Sequence, residues 1–97
     1  MSTRDEYVRK MHSLLDKGNA EIDALAARME HAEAGARDAY QKQIATLRTQ
    51  QDEARTRLES LRTASEGAWQ DMKAGVELAW DAIGEALESA RSRLGNK

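Results

Sequence analysis

Residues 69–94 read WQDMKAGVELAWDAIGEALESARSRL. Large apolar residues recur in this stretch at steps of 3, 4 and 4 residues, in two full rounds and part of a third: Trp69, Met72, Val76, Trp80, Ile83, Leu87 and Leu94. These steps are typical of an eleven-residue (hendecad) helical repeat, which winds at about 3.67 residues per turn. The repeat predicts one helix whose apolar stripe packs against another helix.

The composition is that of long helices. The 97 residues include no proline, 33% of them are charged and only 4% are aromatic. A chain so rich in Ala, Glu, Arg, Leu and Lys is typical of coiled coils. We therefore predict an all-α fold in a single domain, in which long helices bury a narrow apolar contact.

The apolar pattern extends upstream through the rest of the chain. Its first part alternates steps of 3 and 4 residues, which is a heptad pattern: Val8, Met11, Leu15, Gly18, Ile22, Leu25, Met29, Ala32 and Ala36. Two steps of four residues then lead through Tyr40 to Ile44, a stutter that locally unwinds a supercoil. A second heptad run follows at Ile44, Leu47, Gln51, Ala54, Leu58 and Leu61. The packing is thus predicted to change from heptads to hendecads along one stripe.

Two places compete as the end of the first helix. Gly18-Asn19 combines a residue that suits helix ends with one that suits helix starts, but the heptad pattern passes through it in phase. The segment Thr63-Ala64-Ser65-Glu66 fits a capping box and coincides with the change of pitch. We therefore predict a helix over residues 3–62, a break at 63–67 and a second helix over 66–94.

These bounds predict an extended helical hairpin. The second helix, about 43 Å long at 1.5 Å per residue, reaches back over only half of the first. The uncovered N-terminal part needs a partner, so we expect a homo-oligomer (a dimer or higher) or a complex with another protein. We name the predicted contact residues the seam: Trp69, Met72, Val76, Trp80, Ile83, Leu87, Leu94, Ile22, Leu25, Met29, Tyr40, Ile44, Leu47, Leu58 and Leu61.

A membrane surface is the alternative neighbour for the second helix, since tryptophan favours membrane interfaces. Helices that lie on anionic lipid usually carry Lys and Arg on their polar face. Here the polar arc is acidic, with Asp71, Glu77, Asp81, Glu85 and Glu88. Alanine and glycine border the apolar stripe, and such small residues favour close approach of another helix. Helix packing is therefore the preferred interpretation.

The residue types that carry catalysis or bind cofactors show no convergent pattern. The chain has no cysteine, and the spacing of His12 and His31 corresponds to about 28 Å along a continuous helix. Neither histidine belongs to the Glu-x-x-His pair of helical di-metal sites, and no glycine-rich phosphate loop is present. We predict no enzyme activity and no catalytic, cofactor-binding or metal-binding residues.

The charge distribution limits the partners and the location. The formal net charge is −2 with the two signs interleaved, and no basic patch favours nucleic acid. The N-terminal segment lacks the apolar region of a secretory signal, and no apolar run approaches the roughly 18 residues of a membrane span. We therefore expect a cytoplasmic protein that does not bind nucleic acid.

Three segments carry a resemblance to a known family: YVRKMH (7–12), YQKQI (40–44) and ASEGAWQDMKAGVELAW (64–80). They resemble a family of short bacterial coiled-coil proteins labelled as stress-response proteins. The resemblance implies a soluble, all-helical, bacterial, cytoplasmic protein without catalytic residues. The leading hypothesis is thus a non-enzymatic, stress-associated structural or interaction protein. The alternative is an amphipathic protein that binds reversibly to membrane surfaces or exposed apolar surfaces under stress.

Overall fold

The chain forms three helices joined by two short loops. The computed structural model describes residues 3–95, and the side chains of residues 3–92. Helix α1 spans Thr3–Met29, α2 spans Ala34–Arg62 and α3 spans Ala68–Gly95, with no strand in the described range. The prediction of an all-α fold is confirmed. The helices pack into a bundle of 50 × 18 × 17 Å.

Polar contacts between the helices show their directions. Three contacts join α1 to α2 in reverse order along the chain. They are a His12–Glu59 contact (3.4 Å) and the ion pairs Asp16–Arg55 (3.7 Å) and Asp23–Arg48 (3.2 Å). On the other side of α1, Tyr7 faces Glu77 and Glu21 faces Arg91, in the same order along both helices. Helix α2 therefore runs antiparallel to α1, and α3 runs parallel to α1.

Each helix contributes one apolar stripe to a common core. The buried hydrophobic residues are Val8, Met11, Leu15, Ile22 and Leu25 from α1, Ile44, Leu47, Ala54, Leu58 and Leu61 from α2, and Trp69, Val76, Ile83, Leu87 and Ala90 from α3. Full burial of a leucine, isoleucine or valine side chain stabilises a fold by about 1.5–3 kcal/mol. The three stripes therefore cover one another within a single chain and stabilise the bundle.

The continuous helix predicted over residues 3–62 is wrong, because the chain turns at residues 30–33. Glu30, His31 and Ala32 each donate a backbone hydrogen bond to the carbonyl three residues earlier, which tightens the end of α1. Glu33 has extended backbone (ψ 148°) and precedes α2. The turn lets α1 fold back onto α2 and α3, so that its five large apolar side chains become buried.

The second loop lies where the sequence predicts a break. Residues 63–67 separate α2 from α3, so these two helices form the expected hairpin. The side chains of Thr63 and Glu66, which the sequence pairs in a capping box, bind other groups. The Thr63 hydroxyl donates to the carbonyl oxygens of Glu59 and Ser60 (3.3 Å each) and so caps the end of α2. The Glu66 carboxylate accepts a hydrogen bond from the Trp69 indole (3.2 Å).

Candidate interaction surface

The seam is brought together, but inside the molecule. Ten of its residues belong to the buried core: Ile22, Leu25, Ile44, Leu47, Leu58, Leu61, Trp69, Val76, Ile83 and Leu87. Met29, Met72 and Trp80 are half-buried against that core, and Tyr40 is half-buried on α2. Leu94 lies outside the described side chains. The turn at residues 30–33 brings α1 over these residues, so most of the seam is covered within one chain.

A small polar and aromatic cluster fixes α1 to the start of α3. The rings of Tyr7 and Trp69 have centroids 6.5 Å apart, and Lys73 Nζ lies 5.1 Å from the Tyr7 ring centroid. The Tyr7 hydroxyl points to Glu77 at 3.5 Å, a long contact for a hydrogen bond. Burial, together with the charge of Glu77 and the hydrogen bond to it, raises the pKa of Tyr7 to about 12. This cluster is a structural contact between two helices.

An apolar groove runs between α2 and α3 on the outer surface. It holds a cavity of about 250 Å³, lined by Gln50, Glu53, Arg57, Gly75, Leu78, Ala79 and Ala82. A second cavity of about 240 Å³ adjoins it and shares Arg57 and Gly75. The Arg57 guanidinium lies 3.5 Å from where a Cβ on Gly75 would be, so this side chain crosses the groove between the two cavities. We name the residues around both cavities the α2–α3 groove.

Leu78 gives the α2–α3 groove its apolar character. Among the described large hydrophobic side chains, it is the exposed one, with 71% of its surface accessible. The neighbouring Gly75, Ala79 and Ala82 leave space beside it. Exposure of one leucine is ordinary on a protein surface, but a leucine beside a cavity of small residues forms a place where an apolar side chain can insert.

The rim of the groove is polar and mainly acidic. Glu53 and Asp71 line the two cavities and are exposed, and Arg57 is the basic residue between them. The amide oxygen of Gln50 is buried and has no hydrogen-bond partner among the described residues. The described basic residues of α3, Lys73 and Arg91, both contact α1 instead. The groove therefore has an apolar lining bordered by two carboxylates and by the Arg57 guanidinium.

Sequence reasoning missed Leu78. The eleven-residue repeat steps over it, and on a helical wheel it falls about 160° from Val76, among the acidic residues. A large apolar residue on the polar arc of α3 was the available signal of a surface contact, and Leu78 is that residue. Gly75 and Ala79 were recognised as small residues near the stripe, but they line the groove at the surface.

The two histidines lie apart. His12 contacts Glu59 on the surface between α1 and α2, and His31 is exposed in the loop after α1. The hydrogen bond from Arg62 holds the pKa of Glu59 below its ordinary value. Within residues 3–92, no group of three or more His, Asp or Glu side chains is arranged to hold a metal ion.

None of the three described helices combines the length and the apolar character that a membrane span requires. Comparison with known proteins finds no matching family model, no matching curated protein and no matching solved structure. The resemblance to the stress-response family therefore stays a prediction from the sequence.

Proposed function

We propose that this protein is a non-enzymatic interaction protein whose α2–α3 groove binds a basic amphipathic helix of a partner protein. The observation that carries the proposal is the exposed Leu78 beside a cavity lined by small residues and bordered by carboxylates. Amphipathic helices commonly bind by placing apolar anchor residues in such a groove between two helices. Leu78 would contact the anchor, and Ala79 and Ala82 would leave space for it.

The charge of the groove selects the partner. Glu53 and Asp71 stand on its rim, and Asp81 and Glu85 are exposed nearby on α3. Lysine and arginine on the incoming helix would pair with these carboxylates. Complementary charges of this kind raise the association rate and reject acidic partners.

The same charges disfavour a second copy of α3 as the occupant. Two α3 helices that met antiparallel around Leu78 would place Asp71 of one copy near Glu85 of the other. Like charges at such a contact are repulsive. Lys73 and Arg91 of α3 contact α1, so Arg57 of α2 is the basic residue that lines the groove among those described. A partner of opposite charge is therefore the better occupant of the groove.

The test is a titration with designed peptides. The probe is a helical peptide of about 20 residues that carries leucines on one face and lysines on both borders of that face. Its control has glutamate in place of lysine. We expect only the basic peptide to bind, with an affinity that falls as salt is added. Calorimetry at two salt concentrations measures both effects.

Matched variants place the binding in the groove. Leu78→Ser should weaken binding of the basic peptide at least tenfold, and Ala82→Gln should do the same by filling the cavity. Ala74→Ser, a change at an exposed residue of the same helix that does not line the groove, should leave the affinity unchanged. Equal binding of the acidic peptide, or no effect of Leu78→Ser, would refute the proposal.

Binding to a membrane surface has weaker support in the closed bundle. Trp69 is only 4% exposed and its indole is hydrogen-bonded to Glu66, so α3 would have to leave α1 and α2 to present its stripe. The resemblance to stress-response proteins gives the proposed function its setting, a bacterial cytoplasm under stress. In that setting the partner helix would be one that becomes accessible under stress.

A further inference from the structure

We propose that residues 30–33 are a hinge through which two copies of this chain form a domain-swapped dimer. In the swapped form the turn straightens, and α1 and α2 become one helix. Helix α1 then packs on α2 and α3 of the second copy. This goes beyond the groove and does not depend on it, because the swap uses the core contacts.

The hinge has little that holds it in a turn. Its sequence, Glu30-His31-Ala32-Glu33, contains neither glycine nor proline, and all four residues are compatible with a helix. No described non-glycine residue has a positive φ, and the Glu33 side chain makes no capping hydrogen bond. The backbone N–H groups of residues 30–32 bond three residues back, and straightening replaces these bonds with helical ones four residues back.

The apolar pattern continues through the hinge. The steps from Leu25 to Met29, Ala32 and Ala36 are those of one uninterrupted helix. In the closed monomer the last three of these are half-buried. A second copy offers them a new neighbour, so the straightened helix would add contacts that the closed bundle lacks.

The register of the bundle is compatible with the exchange. His12–Glu59, Asp16–Arg55 and Asp23–Arg48 are the three polar side-chain contacts between α1 and α2 described above. In each of them the midpoint of the two residue numbers falls between Gly35 and Ala36. Two straight helices that cross antiparallel at that point would therefore form the same pairs between copies. Ala32 would meet Ala39 and Gly35 would meet Ala36, so small residues meet at the crossing. A Cβ on Gly35 would have nothing within 4 Å in the monomer.

One contact opposes the opening. The Arg37 guanidinium donates to the carbonyl oxygens of Glu30 (3.4 Å) and Ala32 (3.2 Å), which lie in the turn after α1. These are exposed hydrogen bonds, so they add little to the stability of the turn. The core must unfold before the helices exchange, and the swap is expected on refolding at high protein concentration.

The variant Ala34→Pro separates the two forms. Ala34 is the first residue of α2, where proline fits, and Glu33 before it already has the extended backbone that proline requires of its neighbour. In the straight helix the same proline would lie in the interior, where it breaks the helix. Since a dimer contains two hinges, dimer formation should fall at least a thousandfold. Ala34→Ser keeps the backbone N–H and is the matched control.

The experiment is refolding from denaturant at about 1 mM and at about 1 μM chain, followed by molar-mass measurement and small-angle scattering. We expect the wild type and Ala34→Ser to give a dimer at high concentration, with a helix of about 90 Å over residues 3–62 at 1.5 Å per residue. Ala34→Pro should give a monomer with the 50 Å length of the closed bundle.

Three results would overturn the swap: a wild-type chain that stays monomeric, an Ala34→Pro chain that dimerises as the wild type does, and a dimer that Leu78→Ser abolishes. The peptide titration is made on monomer at micromolar concentration. Failure of the swap and failure of the groove proposal are therefore observed in separate experiments.

Discussion

Gly18 of α1 leaves the space that the buried side chain of Gln51 on α2 occupies. Gln51 is 2% exposed, and its Nε2 donates a hydrogen bond to the Leu15 carbonyl oxygen at 3.2 Å. A Cβ on Gly18 would lie 2.5 Å from that nitrogen. The pair therefore works as a fitted contact, in which the absence of one side chain allows the other to place a polar amide in the core.

The first prediction is that Gly18 and Gln51 are energetically coupled. Gly18→Ala should destabilise the wild type by about 1 kcal/mol, because the new Cβ displaces the amide from its hydrogen bond. In a Gln51→Ala background the same change should stabilise by about 0.5–1 kcal/mol, since alanine is the better helix former. Urea unfolding of the four proteins measures the coupling. Gly18→Ala with the same effect in both backgrounds would show that the two residues act independently.

The sequence predicts part of this contact. The heptad pattern places both Gly18 and Gln51 on the buried stripes, and it correctly runs α1 through Gly18. It does not pair them, because that pairing depends on the turn at residues 30–33. The periodicity of apolar residues predicts which side of a helix is buried. It does not predict which distant residue covers that side.

The missed turn has a physical reason. Residues 30–33 are good helix formers, so local propensity favours continuation. The signals were the small residues Ala32 and Ala36 on the stripe, Gly35 between them and the stutter that follows Ala36. Folding back covers Leu15, Ile22 and Leu25 completely or nearly so, and that burial outweighs a few helical hydrogen bonds. The break at residues 63–67 was predictable, because the change of pitch and Gly67 coincide there.

The candidate site was less predictable than the fold. Ten of the fifteen seam residues are buried, so the pattern located the core well. Leu78 and Arg57 form the groove only because α2 and α3 lie side by side, with Gly75 opposite Arg57. Such a surface depends on how two helices are placed side by side. The spacing of apolar residues along the sequence does not predict that placement.

The second prediction is that Gly84→Ala stabilises the protein. Gly84 is exposed in the interior of α3, and a Cβ there would have nothing within 4 Å. Alanine at an exposed helix interior is more stable than glycine by about 0.5–1 kcal/mol, which corresponds to a rise of a few degrees in Tm. Calorimetry of Gly84→Ala beside Gly18→Ala should give shifts of opposite sign. A lower Tm for Gly84→Ala would mean that this face is covered in solution.

The third prediction concerns alkaline pH. The pKa of Tyr7 is about 12 in the folded protein, mainly because of burial, against about 10 in an unfolded chain. The contribution of protonated Tyr7 to the free energy of unfolding is therefore fully present below pH 10. It is lost as the pH rises from 10 to 12. In Tyr40→Phe, which leaves Tyr7 as the one tyrosine, absorbance at about 295 nm follows its ionisation directly.

A control separates the causes of the Tyr7 shift. Glu77→Gln removes the carboxylate charge and keeps the burial, so the pKa of Tyr7 should fall only part of the way towards 10. Titration of the folded Tyr40→Phe protein near pH 10 would contradict the burial of Tyr7 between α1 and α3. Titration of the same protein in urea gives the unfolded reference.

The fourth prediction is that the bundle stays closed on a lipid surface. Trp69 is buried beside Tyr7, so its fluorescence emission changes on lipid binding only if α3 leaves α1. In Trp80→Phe, where Trp69 is the remaining tryptophan, we expect no shift of the emission maximum with neutral or anionic vesicles. The exposed acidic residues of α3 add repulsion from anionic lipid.

The control variant Trp69→Phe keeps the half-buried Trp80, whose emission reports contact of the surface with lipid without opening of the bundle. A blue shift in Trp69→Phe alone would indicate a closed bundle touching lipid. An emission shift in Trp80→Phe, with greater access of a soluble quencher to Trp69, would instead show that α3 detaches and would favour membrane binding over the groove.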